Sequence, residues 1–551
     1  MTEVRIEMTG KLKPKKIYYM KIKKALLSVS DKTGIVDLAN VLKQFDIEII
    51  STGGTQKVLR EAGIEVTDIQ QVTNNPEAFG GRMKTISFNI ESALLFDRNK
   101  DKDEAHKLGI DAIDLVICNL YPFEKVLRQG ADFETLIENI DIGGPTMIRA
   151  AAKNFKYVSV LTSPSDYDEF VKVLKQEQGA TTYEYRKKLM TKAFNHTADY
   201  DALIAQTMDK EEGNLSLRLA FEGGKTLRYG ENSHQNAVFY RQKNLKNTFH
   251  EMKFLHGKAL SYNNILDISG AIASVKELKN KAVAVVKHSN PCGLAQAESQ
   301  QKALEKAWQG DPISAFGSII AFNTPLNLKT ARFFKLTDEN RSKRKFIEVV
   351  VAPKVDAEAL AYLQNHKNLR VLEYNPALLP QQPDYRLVNG TLLEQDYDNQ
   401  LYQKLETVTE QNFNMDVELI EFGLKAIKNI KSNAIVIVGK NDDDFYLMGM
   451  GAGQPNRLVA TELALSKARD FIKQDFDGNG DFEKFYQEKI ARAYLISDAF
   501  FPFADNVELA AGKGIKNIVQ PGGSIRDKSV IETCNNLNVN MIFTGIRHFK
   551  H

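Results

Sequence analysis

Short apolar, β-branched runs recur along this chain, with polar stretches of helical spacing between them. Ala25–Val29, Ile47–Ser51, Leu115–Asn119 and Tyr157–Leu161 read as strands. Thr33–Phe45 has the period of a helix, and Gly53-Gly54 turns the chain into a second one, Thr55–Ala62. Strands separated by helices predict a parallel sheet with crossover connections. Helical, polar sequence over Ser165–Met208 runs into the acidic patch Asp209–Asn214, so a domain is expected over 25–212. In the remainder, 213–551, strands are expected at Ala282–Val286, Ser318–Phe322, Val349–Ala352, Ala434–Val438, Ala493–Ile496, Asn517–Val519 and Met541–Thr544. That length suits two α/β units, split near the connecting loop expected over Pro376–Gln395.

One of these runs carries candidate chemistry at its end. Ala282–Val286 stops at Lys287-His288, and Ser289-Asn290-Pro291 is expected to break the strand. The pair then stands at the carboxyl end of a sheet, where open α/β sheets bind ligands. A neighbouring ammonium disfavours imidazolium, which leaves a neutral His288 as a general base. A basic pair on a solvated loop is the competing reading.

Composition narrows the classes. Of 551 residues 43% are apolar and 26% charged, ordinary for a globular protein. A net charge of +3 predicts no general affinity for nucleic acid. Three scattered cysteines make no disulfide framework and fit a reducing, cytoplasmic setting. No apolar run reaches the length of a membrane span. Residues 1–24 are rich in Lys, lack a secretory apolar segment and read as a basic, solvated extension, with 1–19 dispensable.

Several turns gather polar chemistry. Ser28–Gly34 and Ser51–Thr55 each follow a strand and open a helix with small hydroxyl residues, the pattern of a phosphate site or of ordinary capping. Gly80-Gly81-Arg82-Met83-Lys84-Thr85 adds fixed positive charge. Asp141, in Asn139–Pro145, is a candidate base or a helix cap. Leu227–Gln235 is dense in polar groups. Gly449–Arg457 fails the dinucleotide fingerprint, because its glycines alternate. Ser497–Asn506 joins aromatics to carboxylates and suits a flat heteroaromatic ring. Asp475–Gly480 begins like a calcium loop, but Tyr486 stands where a bidentate Glu is needed. Pro291-Cys292 lacks the partners of a zinc-deaminase motif, so no metal is expected.

Taken in order, Ser-Val-Ser-Asp-Lys-Thr-Gly, Gly-Gly-Arg-Met-Lys-Thr, Cys-Asn-Leu-Tyr-Pro-Phe, Asp-Ile-Gly-Gly, Arg-Ala-Ala-Ala-Lys-Asn, Leu-Arg-Tyr-Gly-Glu-Asn-Ser-His-Gln, Val-Lys-His-Ser-Asn-Pro-Cys-Gly, Gly-Ala-Gly-Gln and Ser-Asp-Ala-Phe-Phe-Pro-Phe make a distinctive series. From about Ala25 to His551 the chain resembles the bifunctional purine-biosynthesis enzymes. These join aminoimidazole carboxamide ribonucleotide (AICAR) formyltransferase to IMP cyclohydrolase. The resemblance implies an α/β protein: a methylglyoxal-synthase-like parallel-sheet domain, then a transformylase region of two cytidine-deaminase-like units. It implies 10-formyltetrahydrofolate as co-substrate, no metal in the chemistry, and a homodimer with transformylase sites across the interface.

The resemblance also implies roles. Lys84, Tyr121, Asp141 and Lys153 match cyclohydrolase positions, and Ser28, Ser30, Lys32, Ser51, Thr52, Gly53, Arg82, Thr85 and Asn119 match nucleotide contacts. Lys287 and His288 match the formyl-transfer pair. Arg228, Tyr229, Asn264, Glu348, Asn433, Arg547 and His551 match substrate contacts, and Gln454, Phe500 and Asp505 folate contacts. Many relatives follow the first-domain Lys-Thr with Leu-His-Pro, whereas here Ile86-Ser87-Phe88 follows Thr85. That departure motivates an alternative: a transformylase whose first domain only binds nucleotide.

Overall fold

The computed structural model describes residues 4–6, 16–79, 82–243, 245–246, 249–377, 383–411 and 413–551. Gly80-Gly81 of the basic turn lies outside them. Two compact units divide between Ala220 and Phe221.

In the first unit a five-stranded sheet runs in the order Thr67–Asp68, Glu48–Ser51, Lys24–Val29, Leu115–Asn119, Ser159–Leu161, all parallel. The chain begins in the middle strand, builds toward one side, then crosses to the other. The carboxyl ends of Lys24–Val29 and Leu115–Asn119 therefore flank a topological switch point, the usual ligand crevice of such sheets. The strand interiors, Ala25–Leu27, Ile49-Ile50, Leu115–Cys118 and Val160-Leu161, are apolar and buried in one core, as expected of a parallel sheet covered on both faces.

The N-terminal segment departs from the solvated extension expected of it. Lys16–Lys21 is a strand, and Tyr19–Lys21 pairs antiparallel with Ala180–Thr182. Ile22 is buried and donates its N–H to Gly179 O at 3.0 Å. Apolar Ile17, Tyr18, Tyr19 and Met20 among the lysines supply the strand propensity that the charge obscures.

The second unit is built on a twelve-stranded sheet that repeats one topology. In its first half, the hairpin Lys281–Lys287/Asn290–Ala297 is continued by Ser318–Phe322, Ile347–Ala352 and Arg370–Glu373. In its second, the hairpin Ile435–Asn441/Asp444–Gly451 is continued by Tyr494–Ser497, Asn517–Gln520 and Asn540–Phe543. The two hairpins join edge to edge through Ala295 and Gln296 against Tyr446 and Phe445. Val283 and Val285 pack into the core on one face, Ala282, Ala284 and Val286 into the core on the other.

Two expectations fail here. The strand ends at Lys287 as expected, but Asn290-Pro291 does not break the sheet: His288 and Ser289 form a two-residue turn, and Asn290 begins the return strand against Lys287. Pro376–Gln395 is not only a loop, since Asp384–Val388 and Thr391–Gln395 pair as an exposed hairpin. Among the described residues no helix is long and apolar enough to cross a membrane.

Candidate active sites

At the switch point of the first unit, Asn119 Oδ1 accepts the backbone N–H groups of Ser30 and Asp31 at 2.6 and 2.8 Å. Its amide returns a hydrogen bond to Asp31 O at 2.9 Å. This clamp shapes the turn after Lys24–Val29. Beside it Ser28 Oγ lies 3.0 Å from Thr52 Oγ1. Lys32 Nζ folds back on Val29 O and Ser30 O, 3.3 Å from each. Thr52 N-caps the helix Gly53–Glu61. Lys84 Nζ rests so close to Gly53 that any side chain there would collide with it. Hydroxyls, a helix N-terminus and two ammonium groups thus meet in one cradle suited to a phosphate. Ser51 is turned inward, its Oγ donating to Leu27 O at 3.0 Å.

A second cluster adjoins it at the start of the helix Gly143–Lys153. Asp141 accepts N–H bonds from Gly144 at 2.8 Å and Tyr121 at 3.4 Å, and donates its own N–H to Tyr200 Oη at 2.8 Å. Burial pushes the Asp141 carboxyl above the usual carboxylate range, against those N–H bonds. Burial, and then the Asp141 charge, push the Tyr121 phenol up, and burial pushes Tyr200 up to about 12. Thr85 Oγ1 would lie 2.5 Å from a Cβ on Gly143, so glycine is needed for that approach. Lys84, next in sequence to Thr85, thereby links the two clusters.

Other predicted residues stand differently. Lys84 Nζ is paired with Glu77 Oε1 at 3.2 Å, and exposed Arg82 is paired with Glu138. Lys153 ends its helix, about 15 Å along the axis from Gly143, apart from Asp141. The departing Ile86-Ser87-Phe88 makes an ordinary helix start: Ser87 Oγ accepts Ile90 N–H at 3.1 Å and caps Phe88–Leu95. Sequence reasoning missed Tyr200, Glu77 and Glu138, each brought in from a distant element with no local signature.

In the second unit the strand directions decide the site. Lys281–Lys287 is antiparallel to both its neighbours, and the sense alternates across the joined hairpins to Tyr494–Ser497. One rim of the sheet therefore collects the carboxyl ends of Lys281–Lys287, Asp444–Gly451, Tyr494–Ser497 and Asn540–Phe543. It also collects the amino ends of Ser318–Phe322, Ile347–Ala352, Arg370–Glu373 and Ile435–Asn441. Lys287-His288, Glu348, Asn433, Gln454, Phe500, Asp505 and Arg547 all follow or precede those ends, on the same rim.

Lys287 Nζ donates to Phe316 O at 2.8 Å and Gly317 O at 3.2 Å. His288 and Ser289 adopt left-handed backbone, φ 51° and 61°, at roughly 1–2 kcal/mol for each such residue. Asp267 Oδ1 accepts Ser289 N–H at 2.7 Å. Asn264 Nδ2 donates to Glu348 Oε2 at 3.3 Å, and Arg370 Nη1 stands 3.6 Å from the same oxygen. Burial pulls the Arg370 pKa down while Glu348 supports its charge; Arg228 and Tyr229 face it as well. The Arg228 guanidinium lies over the Tyr229 ring, 5.1 Å from its centroid.

Further along the rim, Asn433 Nδ2 donates to Gln454 O at 2.8 Å and Pro455 O at 3.1 Å. The chain's last residues dock there, with Ser432 and Lys550 exchanging hydrogen bonds. Arg547 stacks on Phe549, whose ring is 5.5 Å from that of His551. Lys431 N–H binds Asn290 Oδ1 at 3.1 Å, tying this region to the Lys287–His288 hairpin. Phe500 and Asp505 lie beyond Tyr494–Ser497, four strand spacings or about 19 Å along the rim from Lys287. Sequence reasoning missed Asp267, Phe316 and Arg370; it reached Arg457 and Asp498 as members of the Gly449–Arg457 and Ser497–Asn506 stretches, but not their pairing with each other. Among the described residues no group of three or more His, Cys, Asp or Glu side chains could hold a metal ion.

The description "AICARFT/IMPCHase bienzyme" matches residues 151–467, more than half of the sequence. The chain belongs to the AICARFT/IMPCHase bienzyme family. An MGS-like domain matches 34–146, within the first unit. The chain is 43% identical to the bifunctional purine biosynthesis protein PurH of Persephonella marina and 44% identical to that of Clostridium botulinum (strain Kyoto / Type A2). The PurH protein of Caldicellulosiruptor saccharolyticus is 43% identical. Each alignment covers 96% of this chain and 100% of the relative. The crystal structure of ForH aligns at 37% identity over 33% of this chain and 95% of its own, with a TM-score of 0.30. As a family member the chain is bifunctional, an AICAR formyltransferase and IMP cyclohydrolase with 10-formyltetrahydrofolate as formyl donor.

Proposed function

We propose that the second-unit rim carries formyl transfer and the first-unit switch point carries ring closure. The observation that supports the first assignment most is the hairpin tip, which presents Lys287 and His288 on the rim that also carries Glu348 and Asn433. The AICAR amine is a weak nucleophile. His288 removes its proton as nitrogen attacks the formyl carbon. Lys287 stabilises the oxyanion and protonates the departing folate nitrogen. Arg228, Tyr229, Asn264, Glu348, Asn433, Arg547 and His551 hold the nucleotide, and Gln454, Phe500 and Asp505 the folate.

In ring closure the carboxamide nitrogen attacks the carbon of the neighbouring formyl group, and the formyl oxygen leaves as water. Ser28, Ser30, Lys32, Thr52, Gly53 and Asn119 seat the nucleotide, with Arg82 and Thr85 at the side. Lys84 and Tyr121 polarise the formyl oxygen. Asp141, whose raised proton affinity suits a base, takes the carboxamide proton. Closure is intramolecular, so orientation supplies much of the rate.

The assembly we propose is a homodimer. Ile313 at 90%, Leu387 at 83% and Phe316 at 65% exposure are large apolar side chains of the kind a subunit interface covers. Mixing AICAR ribonucleotide with 10-formyltetrahydrofolate while following tetrahydrofolate and IMP tests the reading. Both products should rise, and His288→Ala should stop the first; transfer surviving in that variant would overturn the rim assignment. Sedimentation that stays monomeric at micromolar concentration would remove the dimer.

A further inference from the structure

The turn that presents His288 is built against local preference. Two-residue hairpin turns with both φ values positive favour Asn-Gly, Asp-Gly or Gly-Gly. Here His and Ser occupy those positions, at φ 51° and 61°. Strained backbone of this kind persists only where its surroundings hold it, and such places cluster at functional sites.

The helix Tyr262–Lys276 supplies the restraint through one stripe of residues. Asn264, Asp267 and Gly270 are spaced three apart and share a face. Asn264 reaches Glu348. Asp267 Oδ1 accepts both donors of Ser289, the N–H at 2.7 Å and the hydroxyl at 3.3 Å. Gly270 lets the helix backbone come close: a Cβ there would stand 3.0 Å from Ser289 O. On the other side of the turn, Asn290 Nδ2 donates to His288 O at 3.0 Å, and Asn290 Oδ1 is itself held by Lys431 N–H. Asp267 is half-buried, with His288 and Glu348 as charges that face its carboxylate.

We propose that Asp267 is the positioning residue of the formyl-transfer site. Its carboxylate clamps the His288–Ser289 turn and so fixes where the His288 imidazole stands relative to Lys287 Nζ. The inference rests on the reading that Lys287 and His288 carry the transfer. Asp267 itself touches neither substrate nor folate in this account; it acts through the turn.

The test compares Asp267→Ala, Asp267→Asn and Asp267→Ala/Ser289→Gly in the full chain. Each is assayed for formyl transfer, and for closure of supplied formyl-AICAR ribonucleotide as the control for an intact protein. Displacing a catalytic group by about 1 Å costs on the order of 100-fold. Asp267→Ala should therefore lower the kcat of transfer about 100-fold, with the KM for AICAR ribonucleotide within about 3-fold and closure unchanged. Asp267→Asn keeps an oxygen for Ser289 N–H and should recover at least about 10-fold of that loss. Glycine at 289 favours positive φ, so the double variant should recover part of the activity.

A wild-type kcat in Asp267→Ala would overturn the proposal, as would a loss carried wholly by KM or one that glycine at 289 leaves untouched. If Asp267→Ala loses closure as well, the Asn variant decides: intact closure with transfer no better than in Asp267→Ala rejects the proposal. His288→Ala separates the two levels. Full transfer in that variant sinks the underlying reading, whereas an inactive His288→Ala beside a fully active Asp267→Ala sinks only the role of Asp267.

Discussion

Arg457 donates a guanidinium N–H to Asn433 Oδ1 at 2.7 Å. Its other nitrogen binds Ser497 Oγ at 2.9 Å and pairs with Asp498, which is wholly buried. Asp498 in turn accepts Ser432 Oγ–H at 2.6 Å and Ala434 N–H at 2.9 Å. Both amide hydrogens of Asn433 are spent on Gln454 O and Pro455 O, so only an oxygen lone pair is free to meet a ligand donor. Breaking a buried pair by removing one partner leaves an uncompensated charge and costs about 3–5 kcal/mol. Arg457→Met should lower the unfolding free energy of the second unit by that order in urea titrations. Arg457→Met/Asp498→Asn should recover a substantial part. Equal losses in the single and double variants would show that charge burial is not the source.

Asp141 sits under the opposite constraint. Its carboxyl is pushed up by burial, so the folded state holds the proton more tightly than the unfolded chain does. The ionised form is therefore a net cost at neutral pH, relieved as pH falls through the raised folded value. Asp141→Asn should abolish at least about 100-fold of ring closure, the usual worth of a positioned base, yet leave the melting temperature equal or higher. In the wild type, closure should fall with pH at a point above the ordinary carboxylate range. A melting temperature well below wild type would mean that the N–H bonds from Gly144 and Tyr121 outweigh desolvation.

Gly144 gives an independent handle on the same carboxylate. A Cβ there would lie 2.5 Å from Asp141 Oδ2 and 2.7 Å from Leu120 Cδ2. Overpacking of this kind costs roughly 1–3 kcal/mol. Gly144→Ala should slow ring closure by displacing Asp141 while leaving formyl transfer at its wild-type rate. Unchanged closure kinetics would remove the idea that the Asp141 position is set this tightly.

How far the sequence carries depends on burial. Val283, Val285 and their alternate neighbours are legible as a strand because both faces are covered, which demands an unbroken apolar run. The exposed hairpin at Asp384–Val388 and Thr391–Gln395 has no covered face, so it leaves no period to read. The His288–Ser289 turn is invisible for a different reason: it lacks the glycine or asparagine that normally announces such turns, and long-range hydrogen bonds replace the local preference. The hydroxyl-rich cradle at the first-unit switch point is readable in outline, since hydroxyls and glycines cluster directly after strands. Tyr200 and Asp267 are not, because their contacts join elements far apart in the chain and follow no spacing rule.

Separation of the two sites is measurable with three variants. Lys287→Ala and His288→Ala should each cut formyl transfer by at least about 100-fold, since each removes charge stabilisation or proton transfer in the transition state. Both should still close supplied formyl-AICAR ribonucleotide to IMP at the wild-type rate. Lys84→Ala should do the reverse and let the formylated intermediate accumulate when both substrates are present. Parallel loss of both steps in a folded variant would mean that the assignments to separate units are wrong.

The loop Ile86-Ser87-Phe88 bears on whether the first unit works as a catalyst. Ser87 caps the helix Phe88–Leu95, and Thr85 stays buried beside Gly143. The changed residues thus rebuild a helix start without moving the Lys84–Thr85 pair away from the Asp141 cluster. Replacing a capping serine by alanine costs about 1 kcal/mol. Ser87→Ala should lower stability by that amount and slow closure several-fold by loosening the chain that carries Lys84, with formyl transfer unaffected. The wild-type chain, given formyl-AICAR ribonucleotide alone, should release IMP without added folate. If it binds that nucleotide but forms no IMP, the first unit is a nucleotide-binding module, and the ring-closure roles of Lys84, Tyr121 and Asp141 fall with it.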